Sequence, residues 1–175
     1  HWQRELAKMG LDREDCAIGG PCTSSELVFH DQTEVAFCGE NSEVLRMMKE
    51  AMATDYYHIS LTNDVIGLES AVALKNGYAL AISMTIGLVT RDLGADAGLH
   101  YNSQAGAFYQ AVKEMRYLLE IQGSSRVCEN LGIGDLYVTV YGGRTRKIGI
   151  LLGEGKTYQE ALDILAGVTL ESLVV

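Results

Sequence analysis

Apolar residues come in short runs through the first third of the chain, and after residue 63 they recur at helical spacing and in one long stretch. Trp2 to Met9 reads as a helix that Gly10 can stop. Cys16 to Gly20 reads as a short strand ending in the turn Gly19-Gly20-Pro21. Glu34 to Cys38 (EVAFC) and Tyr56 to Leu61 (YYHISL) are two further strand candidates. Between them, Val44, Leu45, Met48 and Met52 share one helical face, which predicts a helix over 42–52. The opening third is therefore β-α-β in character.

From Asn63 the pattern is helical. Asn63 or Asp64 can cap a long apolar helix over residues 65–89, and Gly94 to Tyr101 reads as a glycine-rich connection. Asn102 or Ser103 can cap the next helix, which reaches Ile121. A turn at Gly123-Ser124-Ser125, a short helix and a loop at Gly132-Ile133-Gly134-Asp135 follow. Residues 136–141 (LYVTVY) suit a strand by propensity or a helix start after that loop, and Gly142-Gly143 breaks the segment. Thr157 with Glu160 forms a capping box for a helix over 158–165.

The long apolar helix holds a charge. Between residues 65 and 89 the strongly polar positions are Glu69, Lys75 and Asn76. A helix apolar on all sides is buried, so the Lys75 ammonium must find a partner, reach water or lose its proton. Lysines held this way do acid–base and carbonyl chemistry; the plainer alternative is a lysine that snorkels to the surface.

Composition narrows the function classes. The 175 residues allow one sizeable core plus an appendage, and 47% hydrophobic with 21% charged residues is a globular balance. A net charge of -9 argues against nucleic acid or an anionic membrane as partner. The uninterrupted apolar run Gly77 to Val89 is too short for a bilayer span, which needs roughly 20 residues. Cys16, Cys22, Cys38 and Cys128 form no CxxC pair, and the four histidines are dispersed, so no metal site is expected. Reduced cysteines point to the cytoplasm. The basic cluster Arg144, Arg146 and Lys147, behind two glycines that permit close backbone approach, suits a compact anion such as a phosphate; a solvated basic turn is the alternative. Asp135 in its glycine-rich setting is either a cap or an orienting acid.

Taken together, these segments resemble the NAD-dependent glycerol-3-phosphate dehydrogenases. Asp64-Val65-Ile66-Gly67-Leu68-Glu69 running into Ala73-Leu74-Lys75-Asn76 is similar to that family's DVxGxE and ALKN motifs. Gly134-Asp135-Leu136, Thr139 and Tyr141-Gly142-Gly143-Arg144 resemble its GDL, T and YGGR stretch. Asn102 to Met115 is similar to its DNxKAA…EM helix, Gly153-Glu154-Gly155 to its LGxG turn, and Gly20-Pro21 to its GPS turn. The chain departs from the pattern at Cys22, Val72, Gly77, Gln104, Tyr109 and Thr145, where the family has Ser, Gly, another residue, Lys, Arg and Asn.

The resemblance implies a mainly α fold. It would be a helical domain like the C-terminal domain of 6-phosphogluconate dehydrogenase over residues 63–175, preceded by a short α/β remnant of a Rossmann sheet over 1–62. It implies that Lys75 is the acid/base at the reacting carbon and that Asp135 and Thr139 orient it. Arg144 would grip the substrate phosphate beside Asn76 and Thr145. NAD or NADP would be contacted by Gly20, Cys22, Ser24, Arg144 and Glu171. The implied reaction interconverts dihydroxyacetone phosphate and glycerol 3-phosphate, a supply of glycerophospholipid precursors, in a cytoplasmic homodimer. No GxGxxG follows a strand in this sequence, so these residues are expected to be a fragment that is inactive alone. Exposed strand edges favour self-association. Two rivals remain: a dehydrogenase of another small phosphorylated or carboxylated hydroxy compound, and a non-catalytic helical dimerisation module.

Overall fold

The computed structural model describes residues 2–11 and 13–165. In chain order the elements are α1 (Trp2–Lys8), β1 (Ala17–Gly19), α2 (Ser24–Leu27), β2 (Thr33–Cys38), α3 (Ser42–Met52), β3 (Tyr57–Thr62) and α4 (Val65–Leu93). After a 3-10 turn at Ala95–Ala97 come α5 (Tyr101–Ile121), α6 (Arg126–Gly142), α7 (Arg144–Gly153) and α8 (Tyr158–Ile164). The fold is mainly α, as the sequence predicts.

β2 organises the opening third. It pairs antiparallel with β1 (Ala17 opposite Cys38) and parallel with β3 (Val35 opposite Ile59). Alternate side chains of a strand point to opposite faces, and both faces of β2 are covered. Val35 and Phe37 pack with Leu45 of α3 and Ile59 of β3. Ala36 and Cys38 pack with Leu68 of α4 and with Cys128 and Leu131 of α6. Burial on both sides is why Val35 to Cys38 (VAFC) is an unbroken apolar run. Parallel pairing of β2 and β3 requires a crossover, and α3, capped by Asn41 on the Glu43 and Val44 N–H groups, supplies it.

α4 is the axis of the helical layer, with α5, α6 and α7 packed along it. Asp64 caps it by accepting from Gly67 N at 2.8 Å. By length and composition α4 is the one helix among the described residues long and apolar enough to cross a membrane. The count from Gly77 to Val89 underestimates it, because Glu69, Lys75 and Asn76 interrupt the run without ending the helix. Ala79 and Ile82 of α4 share a core with Ala111 and Met115 of α5 and Leu136 and Val140 of α6.

Three expectations need correction. Gly132-Ile133-Gly134-Asp135 is no loop, and residues 136–141 are no strand; both lie inside the continuous helix α6. The glycines are there for packing. A Cβ on Gly132 would stand 2.9 Å from the Ala71 Cβ of α4, and one on Gly134 would stand 3.0 Å from the Pro21 ring. α5 begins at Tyr101 without a side-chain cap, after His100 in a left-handed conformation (φ 45°), so neither Asn102 nor Ser103 starts it. The capping box at Thr157 and Glu160 is present.

α4 and α7 approach closely enough that glycine is required at the crossing. A Cβ on Gly87 would run into the Ile150 carbonyl, one on Gly153 into the Met84 carbonyl, and one on Gly149 would lie 2.6 Å from the Leu80 carbonyl. Gly77, on the same helix as Gly87, has open space where a Cβ would go. Gly87→Ala is therefore expected to destabilise the chain by about 1–3 kcal/mol through overpacking. Gly77→Ala should stabilise it by up to about 1 kcal/mol through helix propensity. Urea unfolding of the two variants checks both signs.

Candidate active site

Two helical faces meet at the site. Val72, Lys75 and Asn76 lie three and four residues apart on α4, and Asp135, Val138, Thr139 and Gly142 do the same on α6. Together with Cys22, Thr23, Ser24, Ser25, Gly143 and Arg144 they line a cavity of about 610 Å³. The segment after β1 forms one wall, because Pro21 sits against Gly134 and brings the hydroxyl-rich stretch 23–25 over the face of α6.

At the centre, Lys75 Nζ donates to Asp135 Oδ2 at 2.7 Å. The Asp135 side chain is 4% exposed and that of Lys75 21%. The ammonium therefore does not escape to the surface; it ends on a carboxylate with one side open to the cavity. Burial raises the Asp135 pKa above its ordinary value, while the hydrogen bond and charge of Lys75 pull it back down. Thr139, also on the cavity lining, donates its hydroxyl to the Asp135 backbone carbonyl at 2.7 Å. Burial, with Asp135 and Glu26 nearby, raises the Cys22 thiol pKa, so at neutral pH this residue presents a neutral SH.

The turn between α6 and α7 places Arg144. Gly143 is the N-cap of α7, its N–H donates to the Thr139 carbonyl at 3.0 Å, and a Cβ there would run into that same carbonyl. The YGGR pattern thus makes a tight helix-to-helix turn that sets Arg144 on the cavity edge. Arg146 instead donates to the Val140 carbonyl at 3.0 Å.

Among the residues singled out from sequence, Lys75, Asp135, Asn76, Thr139, Arg144, Cys22 and Ser24 all line this cavity. Two others do not. Thr145 is buried at 1% exposure behind the cavity wall, and Gly20 packs on Val35, Glu34 and Leu131, one turn away. Glu171 lies outside the described residues. Sequence reasoning passed over Thr23, Ser25 and Val138. The hydroxyl run after Pro21 was one available signal, and Val138 follows at i+3 from Asp135 once 126–142 is taken as one helix.

Removing Lys75 tests the electrostatics without any ligand. Lys75→Met leaves a buried carboxylate unpaired, and the expected loss at neutral pH is about 3 kcal/mol. Burial already raises the folded-state pKa of Asp135, and loss of Lys75 removes the opposing pull. A carboxyl raised on folding contributes stability below its ordinary range and loses that contribution as pH rises through its folded pKa. The deficit of Lys75→Met should therefore shrink as pH falls from neutrality and the raised carboxyl takes up its proton. Urea unfolding across pH measures it; a deficit constant with pH would mean Asp135 does not carry the effect.

Comparison with known proteins follows the same residues. A sequence model of the C-terminus of NAD-dependent glycerol-3-phosphate dehydrogenase matches residues 64–174. An NADP(+)-dependent glycerol-3-phosphate dehydrogenase of Archaeoglobus fulgidus is 34% identical over 161 residues, which are 90% of this chain and 47% of that protein. A glycerol-3-phosphate dehydrogenase [NAD(P)+] of Leuconostoc mesenteroides is 33% identical over 150 residues, 83% of this chain and 42% of that protein. Among solved structures, the glycerol-3-phosphate dehydrogenase of Coxiella burnetii superposes with a TM-score of 0.78 at 26% identity, covering 98% of this chain and 51% of that one. The chain thus spans about half the length of the relatives it matches.

Proposed function

Because the chain belongs to the NAD-dependent glycerol-3-phosphate dehydrogenase family, we propose that it carries the substrate half of an enzyme interconverting dihydroxyacetone phosphate and sn-glycerol 3-phosphate. The observation that carries this reading is the Lys75–Asp135 pair at 2.7 Å facing a cavity whose other charged lining residue is Arg144. Reduction of a ketone needs a proton at the carbonyl oxygen. Lys75 is the donor in that direction and the acceptor in the other. Asp135 fixes where the ammonium points. Asn76 and Thr139 offer hydrogen bonds to the substrate oxygens. The Arg144 guanidinium takes the phosphate, which orients the reacting carbon at a distance from the anchor.

NAD or NADP supplies the hydride. Cys22 and Ser24, on the wall beside Lys75, and Arg144 fit contact with its reacting end. No glycine-rich phosphate turn of the GxGxxG type occurs in the sequence. In this reading the bulk of the dinucleotide is held by the half of the relatives' length that the chain does not span. Residues 1–62 are then the end of the nucleotide-binding layer and 63–175 the substrate domain. Thr145, buried beneath the cavity, supports the Arg144 turn, and Glu171 is a further candidate for cofactor contact. A cytoplasmic homodimer completes the proposal.

Turnover of the complete protein with dihydroxyacetone phosphate and NADH or NADPH tests it. Lys75→Met should lower kcat by roughly a hundredfold or more. Arg144→Ala should raise KM by about 10–100-fold, the equivalent of one charge-assisted hydrogen bond. Turnover of a different phosphorylated or carboxylated ketone, with none of dihydroxyacetone phosphate, would replace the substrate assignment. Near-normal turnover of Lys75→Met would remove the catalytic one.

A further inference from the structure

Eleven residues ahead of Lys75, the cap of α4 reaches a second helix. Asp64 Oδ1 accepts from Gly67 N at 2.8 Å, and its other oxygen, Oδ2, accepts from Ser125 N at 2.7 Å. Ser125 is the N-cap residue of α6. Cys128, in the first turn of α6, returns a hydrogen bond from Sγ to the Asp64 backbone carbonyl at 3.6 Å. One carboxylate therefore ties together two helix N-termini, each carrying a partial positive charge that repels the other. Burial raises the Asp64 pKa, but the Ser125 and Gly67 N–H groups, with Cys128 and the Ser125 hydroxyl, outweigh it and hold the carboxyl below its ordinary range. Gly67 is part of the device, since a Cβ there would run into the Asp64 carboxylate.

α4 and α6 start at one clamp, and their contacts keep nearly constant register along both helices. Asp64 meets a residue 61 positions later, and Lys75 meets one 60 positions later. The ion pair lies ten to eleven residues beyond the clamp on each helix, about 15–17 Å along both axes at 1.5 Å per residue. A slip of one residue, about 1.5 Å, would stretch and misalign the 2.7 Å hydrogen bond from Lys75 Nζ to Asp135.

We propose that Asp64 is a positioning residue whose carboxylate sets the axial register of α4 against α6 and so delivers Lys75 to Asp135. The proposal rests on the catalytic reading of that pair for its consequences in turnover, and on geometry alone for its consequences in the chain.

The test separates the two. In the isotope-labelled chain, the hydrogen-bonded ammonium signal of Lys75, assigned by its loss in Lys75→Arg, reports the ion pair directly. Asp64→Asn keeps the acceptor for Gly67 but turns an NH2 toward Ser125 N–H. Ser125→Pro removes that N–H from the α6 side, at backbone angles (φ -73°, ψ 152°) that proline adopts. Two controls match them. Asn41→Ala removes the N-cap of α3, away from the site, and Ser125→Ala removes the hydroxyl cap but keeps the N–H.

The Lys75 signal is expected to vanish in Asp64→Asn and Ser125→Pro and to persist in both controls at matched loss of Tm. In the complete protein, Asp64→Asn should lower kcat about tenfold or more with KM within about twofold, the mark of misplacement rather than lost binding. A Lys75 signal intact in both test variants would overturn the proposal and leave Asp64 a simple cap. Unfolding of both test variants while the controls fold would overturn it too, in favour of a general need of the fold. Loss of the signal without any dihydroxyacetone phosphate turnover by the parent would leave the register standing and remove the proposed function.

Discussion

A buried carboxylate in the middle of a helix is the constraint that the rest of the structure answers. Asp135 sits at 3% exposure within α6, where an unpaired charge would cost several kcal/mol. Lys75 from α4 supplies the counter-charge at 2.7 Å. For a lysine on one helix to reach an aspartate on another at that distance, the two helices must approach closely and in register. Gly132 against Ala71 provides the approach, and the shared core of Ala79, Leu136 and Val140 holds it. The long α4 serves the same demand, since it contacts α5, α6 and α7 at once.

The small sheet contributes a wall rather than a separate function. β2 is buried on both faces, so the turn after β1 is fixed relative to α4 and α6 by the core it shares with them. Gly20, at φ +131°, gives the backbone the conformation that lets Pro21 reach Gly134. Cys22, Thr23, Ser24 and Ser25 then face Lys75 and Asn76 across the cavity. Two segments 113 residues apart in the chain, Cys22 and Asp135, are brought to one cavity because glycine and proline pack where larger residues would hold them apart.

Much of this was legible in the sequence for identifiable reasons. EVAFC announces a strand buried on both sides, Thr157 with Glu160 a cap, and Lys75 an ion out of place among apolar neighbours. Gly132 to Asp135 misleads because glycine in a sequence reports freedom of the backbone, whereas here it reports the closeness of a neighbour. Propensity carries no information about Ala71 or Pro21, so a turn was the better local guess and tertiary contact overruled it. The burial of Thr145 is invisible for a related reason. It is adjacent to Arg144 in sequence, but one helical residue is a rotation of about 100°, enough to move a side chain from the cavity edge to the core.

The charge balance of the cavity is compatible with the proposed phosphorylated substrate although the chain is strongly acidic. A net charge of -9 repels anions at long range, but at physiological ionic strength that field fades over about 8 Å. Within the cavity the charged lining residues are Lys75, Asp135 and Arg144, and Asp135 is already engaged by Lys75. The pair is neutral as a unit, and Arg144 adds a guanidinium at the cavity edge. In the proposed function the substrate phosphate would meet the guanidinium at the edge, and its other end the neutral, hydrogen-bonding pair deeper in. That order matches the proposed substrate, which has its phosphate at one end and an uncharged carbonyl at the other. A substrate carrying charge at both ends would have to place the second anion against Asp135.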